Sequence, residues 1–260
     1  MMTTPTEYAE TLRSSYHEER KKVNFLIIGP SGTGKTVLTE TCPAPIHIDS
    51  FDPGGTVSVR KAIHEGRIIV DTSFEREDAK NPWAFRKWAT TMHERFQMKY
   101  FDWLGTYVLD SLTTFGEAVM NYVLRKNKNA TGTPNQQDYL HQMNTIREEI
   151  EALTRLPCNV LITAHVDAVR DELTGQLYGG LLTTGKLKAR LPLYFDEVLY
   201  TQAKPSNDGA KYYLITGLSG IYQARSRLAR EGGDYRGLIE PSIRELLKKG
   251  GFPYEDKEIK

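Results

Sequence analysis

Val23-Asn24-Phe25-Leu26-Ile27-Ile28-Gly29-Pro30-Ser31-Gly32-Thr33-Gly34-Lys35-Thr36 runs from an unbroken apolar segment into a glycine-rich one. A short apolar run closed by glycine predicts a buried strand over 23–28, and a helix is expected after the loop. Between them, residues 29–36 match G-x-x-x-x-G-K-[ST] in the strand-to-helix setting that this spacing requires. Glycines let successive backbone N–H groups curl around phosphate oxygens, and the start of a helix adds its positive dipole end. Lys35 would reach the outer phosphates of a nucleotide, and Thr36 would offer its hydroxyl to Mg²⁺. The cradle comprises Gly29, Pro30, Ser31, Gly32, Thr33, Gly34, Lys35, Thr36 and Val37. A glycine-rich turn before an ordinary helix is the plainer reading, but a chance match has a probability on the order of 1%.

Outward from the loop, elements alternate. Residues 7–20 read as a helix, and 46–49 as a second strand followed by the turn cluster Asp52-Pro53-Gly54-Gly55. Arg67 to Asp71 is a further strand, and Pro82 fits the first turn of a helix with Phe85, Trp88, Met92 and Phe96 on one apolar face. Thr106 to Asp110 and Asn159 to Thr163 are two more buried strands. Between them lie a loop-like 125–136 and an amphipathic helix marked by Tyr139, Met143, Ile146, Ile150 and Leu153. The stretch 167–185 reads as loop or hairpin, with Thr174-Gly175 and Gly179-Gly180 as turn signals. Phe195 to Gln202 and Tyr212 to Gly217 are strands joined by the turn 205–209, and Arg244, Lys248 and Lys249 belong to a terminal helix. Early alternation followed by hairpin-like strands predicts an α/β fold: a mostly parallel sheet flanked by helices, with an antiparallel C-terminal extension. The expected division is a polar lead-in (1–21), one core (22–230) and a C-terminal helical tail (231–260).

Composition narrows the class. The chain has 260 residues, with 34 basic and 33 acidic side chains and a net charge of +1, so any nucleic-acid contact must come from local patches. Two cysteines, Cys42 and Cys158, cannot build a disulfide framework or a four-cysteine zinc site, and they suit a reducing compartment. The first 22 residues are polar, with no signal-like apolar core, and no run approaches membrane-spanning length. A cytoplasmic protein without a membrane partner is expected. His47, His64, His93 and His141 have no partners at ligand spacing and read as incidental.

Asp110 ends the run Tyr107-Val108-Leu109-Asp110-Ser111, where an apolar strand would deliver a carboxylate beside the phosphate loop to hold Mg²⁺. With the order of the pieces Ile48-Asp49-Ser50-Phe51-Asp52-Pro53-Gly54-Gly55, Leu161-Ile162-Thr163-Ala164-His165, Gly185-Lys186-Leu187 and Ala224-Arg225-Ser226-Arg227, the chain resembles the RecA-type core. Most closely it resembles the small phage RecA-like ATPases of single-strand annealing and recombination, over about residues 22 to 230.

The resemblance implies an ATP- and Mg²⁺-dependent ATPase that binds single-stranded DNA, stimulated by it, and promotes annealing or strand exchange. It implies a ring or filament of identical copies in the host cytoplasm, with a single-strand-binding or annealing accessory protein as a further partner. Members carry a glutamate after the second core strand to polarise water; here that stretch holds Asp52, with Asp49 as the fallback and no Glu. Asp52 could equally be the first residue of its turn. His165 falls where the family senses the γ-phosphate, although a histidine at a strand end is often structural. Arg125, Lys126 and Lys128, and further on Arg170, Lys186, Lys188 and Arg190, occupy the DNA-contacting regions, with Tyr178 as a stacking ring. Lys186 to Arg190 could equally be the solvated face of a strand. Arg225 and Arg227 match a pair that reaches a neighbouring subunit's site, or form an ordinary exposed basic turn. Two other functions compete: an oligomeric DNA-binding module that holds nucleotide with negligible turnover, and a small-molecule or nucleotide kinase. The missing Glu favours the first, and the lack of an arginine-rich lid argues against the second.

Overall fold

The computed structural model describes residues 4–19, 21–128, 132–170, 175, 177–207, 209–228 and 238–258. In chain order the elements are α1 (Pro5–Glu19), β1 (Asn24–Ile28), α2 (Lys35–Leu38), β2 (Ile46–Ser50), α3 (Arg60–His64), β3 (Ile68–Asp71), α4 (Ala84–Gln97), α5 (Tyr100–Trp103) and β4 (Thr106–Asp110). There follow α6 (Leu112–Lys126), α7 (Gln136–Leu153), β5 (Asn159–Ala164), β6 (Val166–Arg170), β7 (Leu177–Leu181), α8 (Leu187–Arg190), β8 (Glu197–Ser206) and β9 (Gly209–Ile215). The chain closes with β10 (Leu218–Ser219), β11 (Tyr222–Gln223), β12 (Arg225–Ser226), β13 (Leu238–Ile239) and α9 (Ile243–Lys249). Among the described residues no helix is long and apolar enough to cross a membrane.

The main sheet has the order β13-β9-β8-β1-β5-β4-β2-β3, with β12 beside β8. From β3 to β8 the neighbours run parallel; β9, β12 and β13 are antiparallel, as the alternation of elements predicted. β1, β2, β4 and β5 are buried along their whole length, which is why they read as continuous apolar runs. Alternate side chains of β1 feed two cores: Leu26 and Ile28 belong to the one that holds Trp88, Phe115 and Ile146, and Phe25 and Ile27 to the one that holds Leu38, Leu246 and Leu247. β5 separates the phosphate-loop strand β1 from β4, so the carboxyl ends of β1, β2, β4 and β5 share one edge, where ligands bind in such sheets.

Several local expectations change. Pro82 precedes α4 rather than entering it: Trp83 is the N-cap, and Glu77 Oε1 accepts from the N–H groups of Trp83 and Ala84 at 2.9 and 3.0 Å. On α4 it is Arg95 that is buried and Phe96 that is exposed, because Arg95 answers a buried acid described below. Gly179 and Gly180 lie inside β7, not at a turn; a Cβ on Gly180 would sit 2.6 Å from Val169 Cγ2 of the paired strand β6. Lys186 to Arg190 is not a strand face, since residues 187–190 form the turn of α8. Arg20, part of 125–136, Thr174, Asp208 and residues 231–237 lie outside the described residues.

The C-terminal segment is more than a helical tail. β13 pairs with β9, and α9 buries Ile243, Leu246 and Leu247 in the second core. Asp256 clasps it in place, meeting Arg67 Nη1 at 2.5 Å, Arg244 Nη2 at 2.5 Å and the Ala44 N–H at 2.8 Å. Burial opposes ionisation of Asp256, but the Arg67 bond, the Ala44 N–H and Arg244 outweigh it and bring its carboxyl down to about 2. A depressed carboxyl pKa stabilises the fold above the unfolded value near 4 and loses that contribution as pH falls toward 2. The melting-temperature difference between the parent and Asp256→Asn is therefore expected to be constant from pH 5 to 7 and to close between pH 4 and about 2. A difference independent of pH would remove the ionised clasp.

Candidate active site

β1 ends at Ile28, and the chain turns at once because Gly29 has no room for a side chain: a Cβ there would meet Thr201 Oγ1 of β8 at 2.1 Å. Gly32 and Gly34 take φ of 76° and 85°, the left-handed values that point successive N–H groups into one hollow. α2 is a single turn, continued by a 3-10 turn over 39–41, so the loop amides carry more of the expected anion attraction than a helix dipole does. Lys35 is only 7% exposed, and its Nζ donates to the carbonyls of Gly29 and Pro30 at 3.0 and 2.9 Å. Burial pulls its pKa below the ordinary lysine value, while Asp110 and Asp52 push it back.

Thr36 Oγ1 donates to Asp110 Oδ2 at 2.8 Å, joining the end of the phosphate loop to the tip of β4. Thr163 Oγ1 donates to the other oxygen, Oδ1. Burial pushes the Asp110 carboxyl up, against the two hydroxyls that favour its charged form. A hydroxyl and a buried carboxylate opening onto a phosphate cradle are the oxygen donors that Mg²⁺ takes when phosphates complete its shell. Among the described residues no group of three or more His, Cys, Asp or Glu could hold a metal ion.

Asp52 stands on the same edge. Its Oδ1 accepts from Ser111 Oγ at 2.8 Å and from Thr114 Oγ1 at 2.5 Å, and Oδ2 lies 3.5 Å from His165 Nε2, too far for a firm hydrogen bond. It also opens its turn, with the Gly55 N–H donating to the Asp52 carbonyl at 3.0 Å. The His165 N–H is held by Thr113 Oγ1 at 3.1 Å. A cavity of about 590 Å³ joins residues 31–38 of the loop and α2 to Asp52, His165, Thr201, Tyr212 and Pro241.

Asp49 is not on this edge. It is fully buried, with Arg95 Nη1 at 2.8 Å from both oxygens, Tyr107 OH at 2.6 Å, Trp88 Nε1 at 2.9 Å and His47 Nε2 at 2.9 Å. Burial alone would raise its pKa; His47, Arg95 and Tyr107 outweigh that and lower it. His47, read as incidental, is a member of this network and also meets Tyr100 OH at 2.9 Å.

The cationic candidates fall into separate places. α6 starts directly after Ser111, so no loop follows Asp110, and Arg125, Lys126 and Lys128 lie about 20 Å away at the far end of that helix. Lys188 Nζ pairs with Asp167 Oδ2 at 2.6 Å, tying α8 to β6; Lys186, Arg190 and Arg170 are exposed. Tyr178 on β7 is half-buried. Arg225 Nη2 donates to the carbonyls of Pro192 and Phe195 at 2.7 and 3.0 Å, and Arg227 Nη1 meets Asp196 Oδ1 at 3.0 Å. Neither arginine lines the cavity of its own chain.

Parallel strands with an edge bearing a glycine-rich phosphate loop, a lysine, and a threonine bonded to a strand-end aspartate define a RecA-like P-loop NTPase domain. Residues 21–228 match the family described as an AAA domain, AAA_24, and the chain belongs to that family. It is a nucleotide-binding, ATPase-like domain. No curated protein matches the chain. Among solved structures it is similar to the flagellar accessory protein FlaH of Methanocaldococcus jannaschii, at 11% identity and a TM-score of 0.42 over 84% of this chain and 83% of that one. A KaiC-like protein of Pyrococcus horikoshii is similar at 13% identity and a TM-score of 0.40 over 74% and 78% of the two chains. An uncharacterised protein of the same organism, solved with an unknown peptide, gives 14% and 0.38 over 79% and 88%.

Proposed function

We propose that the chain hydrolyses ATP with Mg²⁺, assembles as identical copies on single-stranded DNA, and promotes annealing or strand exchange in recombination. The observation that carries the ATPase part is the Thr36–Asp110 contact at the mouth of the phosphate loop. Mg²⁺, when bound, would be held by Thr36 and Asp110 and would supply electrostatic neutralisation of the phosphates. Lys35 exchanges the Gly29 and Pro30 carbonyls for phosphate oxygens. Asp52 is the group to orient water and take its proton through Oδ2, the oxygen that neither Ser111 nor Thr114 uses. His165 lies between that acid and the strand edge, suited to respond when the phosphate leaves. Arg227 is about half exposed and could exchange Asp196 for a neighbouring copy's phosphate; Arg225 would have to give up two carbonyls.

The DNA part rests on the exposed cations Arg170, Lys186 and Arg190 around the Lys188–Asp167 pair, with Arg125, Lys126 and Lys128 as a second group. The test is steady-state ATP hydrolysis with and without single-stranded DNA. Stimulation is expected, and turnover indifferent to DNA would return the protein to the kinase class. Replacing Lys186, Lys188 and Arg190 together by alanine should weaken DNA binding and flatten the plot of log K against log salt by roughly 0.7 per lost phosphate contact. An unchanged slope would make these residues a solvated surface. One observation favours the second reading, a nucleotide-holding module without turnover: Asp52 already accepts two hydroxyls and no glutamate replaces it. Tight ATP binding without hydrolysis in either condition would select that reading.

A further inference from the structure

Arg225 and Arg227 follow β11 two positions apart, and the fold uses them differently. Arg225 Nη2 donates to the carbonyls of Pro192 and Phe195 at 2.7 and 3.0 Å, so its guanidinium is committed to main-chain oxygens. Arg227 Nη1 rests on Asp196 Oδ1 at 3.0 Å with the side chain about half exposed, a pairing that costs little to exchange in water. The other oxygen of Asp196 accepts from the Asn24 N–H at 3.0 Å, at the start of β1. The phosphate loop leaves the far end of that five-residue strand, about 16 Å away. Arg227 therefore stands at the opposite end of β1 from its own chain's cavity, whose lining does not include it.

What is fixed is the backbone that carries Arg227. Glu197, the first residue of β8, is fully buried, and its Oε1 accepts from the Arg227 N–H at 2.8 Å and from the Leu228 N–H at 3.0 Å. β12 pairs with the same stretch of β8, with Ser226 opposite Glu197, and the Leu228 side chain is buried in the second core. Burial pushes the Glu197 carboxyl up, against the Leu228 N–H, the Ser226 hydroxyl and the Arg227 N–H, which favour its charged form. A carboxylate is costly to bury, and this one is spent on two consecutive N–H groups at the position of Arg227. The contact holds residue 227 by its main chain and leaves its guanidinium to swing away from Asp196.

We propose that Glu197 is a positioning residue for hydrolysis in a neighbouring copy: it fixes the backbone from which Arg227 reaches that copy's phosphates. This rests on the reading above, in which identical copies assemble and hydrolyse ATP, and deepens it. Glu197→Leu, Glu197→Gln and Arg227→Ala of the full chain test it, with Asp52→Asn as a copy whose own site is silent. Glu197→Leu strands two buried N–H groups and is expected to lower kcat about a hundredfold with ATP affinity unchanged. Glu197→Gln still offers an oxygen to both N–H groups and should restore most of that loss. Mixing the variants gives a readout that general damage to the fold would not move. Glu197→Leu keeps an intact site and misplaces its arginine. Mixed equally with Asp52→Asn, it should regain about a quarter of the parental rate, the share of head-to-tail contacts that join an intact site to an intact arginine. Mixed with Arg227→Ala it should regain nothing, since neither copy delivers the cation. Regain with Arg227→Ala, or parental kcat in Glu197→Leu alone, would overturn the proposal. So would regain in neither mixture while Arg227→Ala with Asp52→Asn recovers. Failure of the underlying reading looks different: that last mixture stays silent, or Arg227→Ala or Asp52→Asn alone hydrolyses ATP at the parental rate.

Discussion

Lys35→Ala is expected to abolish nucleotide binding at concentrations that saturate the parent, a loss of about a hundredfold or more. Lys35 is the cation buried in the phosphate loop, and among the described residues its Nζ meets no carboxylate within salt-bridge distance; it donates to the two loop carbonyls at 3.0 and 2.9 Å. Burial has already made its charge costly, so an incoming triphosphate supplies the compensation that the protein alone does not. Charge-assisted hydrogen bonds of this kind contribute about 1.5–3 kcal/mol each, and each 1.4 kcal/mol is a factor of ten in affinity. The measurement is a binding titration with Mg²⁺ and ATP, accompanied by a thermal melt to establish that the fold persists. Parental affinity in a folded Lys35→Ala protein would sink the assignment of the site.

The second large effect concerns stability. Asp49→Ala should cost about 3–5 kcal/mol of folding free energy, because Arg95 would be left in the core without its principal counter-charge. Tyr107 OH and Trp88 Nε1 would lose their acceptor in the same step. Urea denaturation reads the change as a lower midpoint at an unchanged slope. Combining Asp49→Ala with Arg95→Met should restore part of the loss, since removing both charges no longer strands one of them. Asp52→Asn belongs to the opposite class: partly exposed and bonded only through hydroxyls and a distant histidine, it should leave the midpoint nearly unmoved while turnover falls. If instead Asp49→Ala folds with parental stability and loses only turnover, the fallback acid would be the working one.

The contrast between these two aspartates marks the limit of reading the chain one residue at a time. They stand three positions apart in Ile48-Asp49-Ser50-Phe51-Asp52, and nothing in their spacing separates a core acid from a site acid. The signal that could have separated them lay on α4, where Arg95 follows Trp88 by seven positions and so shares its buried face. Phe96, the more apolar neighbour, is pushed to the surface because the buried carboxylate of Asp49 needs a cation more than the core needs another ring. His47 joined the same network unseen, since its partners Tyr100 and Asp49 come from different elements. Tyr212 and Pro241 were missed as lining residues for a similar reason: one sits on a late strand and the other before the last helix, and only the sheet order brings them to the loop.

The amino-acid sequence alone determined the elements that rest on local rules. The buried strands follow from unbroken apolar runs, the loop 29–36 from glycines whose φ no other residue adopts cheaply, and the class of sheet from alternating periodicities. Tertiary structure decided which chemistry-bearing residues share a space. Thr36, Thr163 and Asp110 meet because β5 lies between β1 and β4, an order no local propensity encodes. The same packing turned one aspartate inward to an arginine and left its neighbour at the edge facing the cavity. Burial and pairing are properties of contacts distant in the chain, so they become readable only once the strands have found their neighbours.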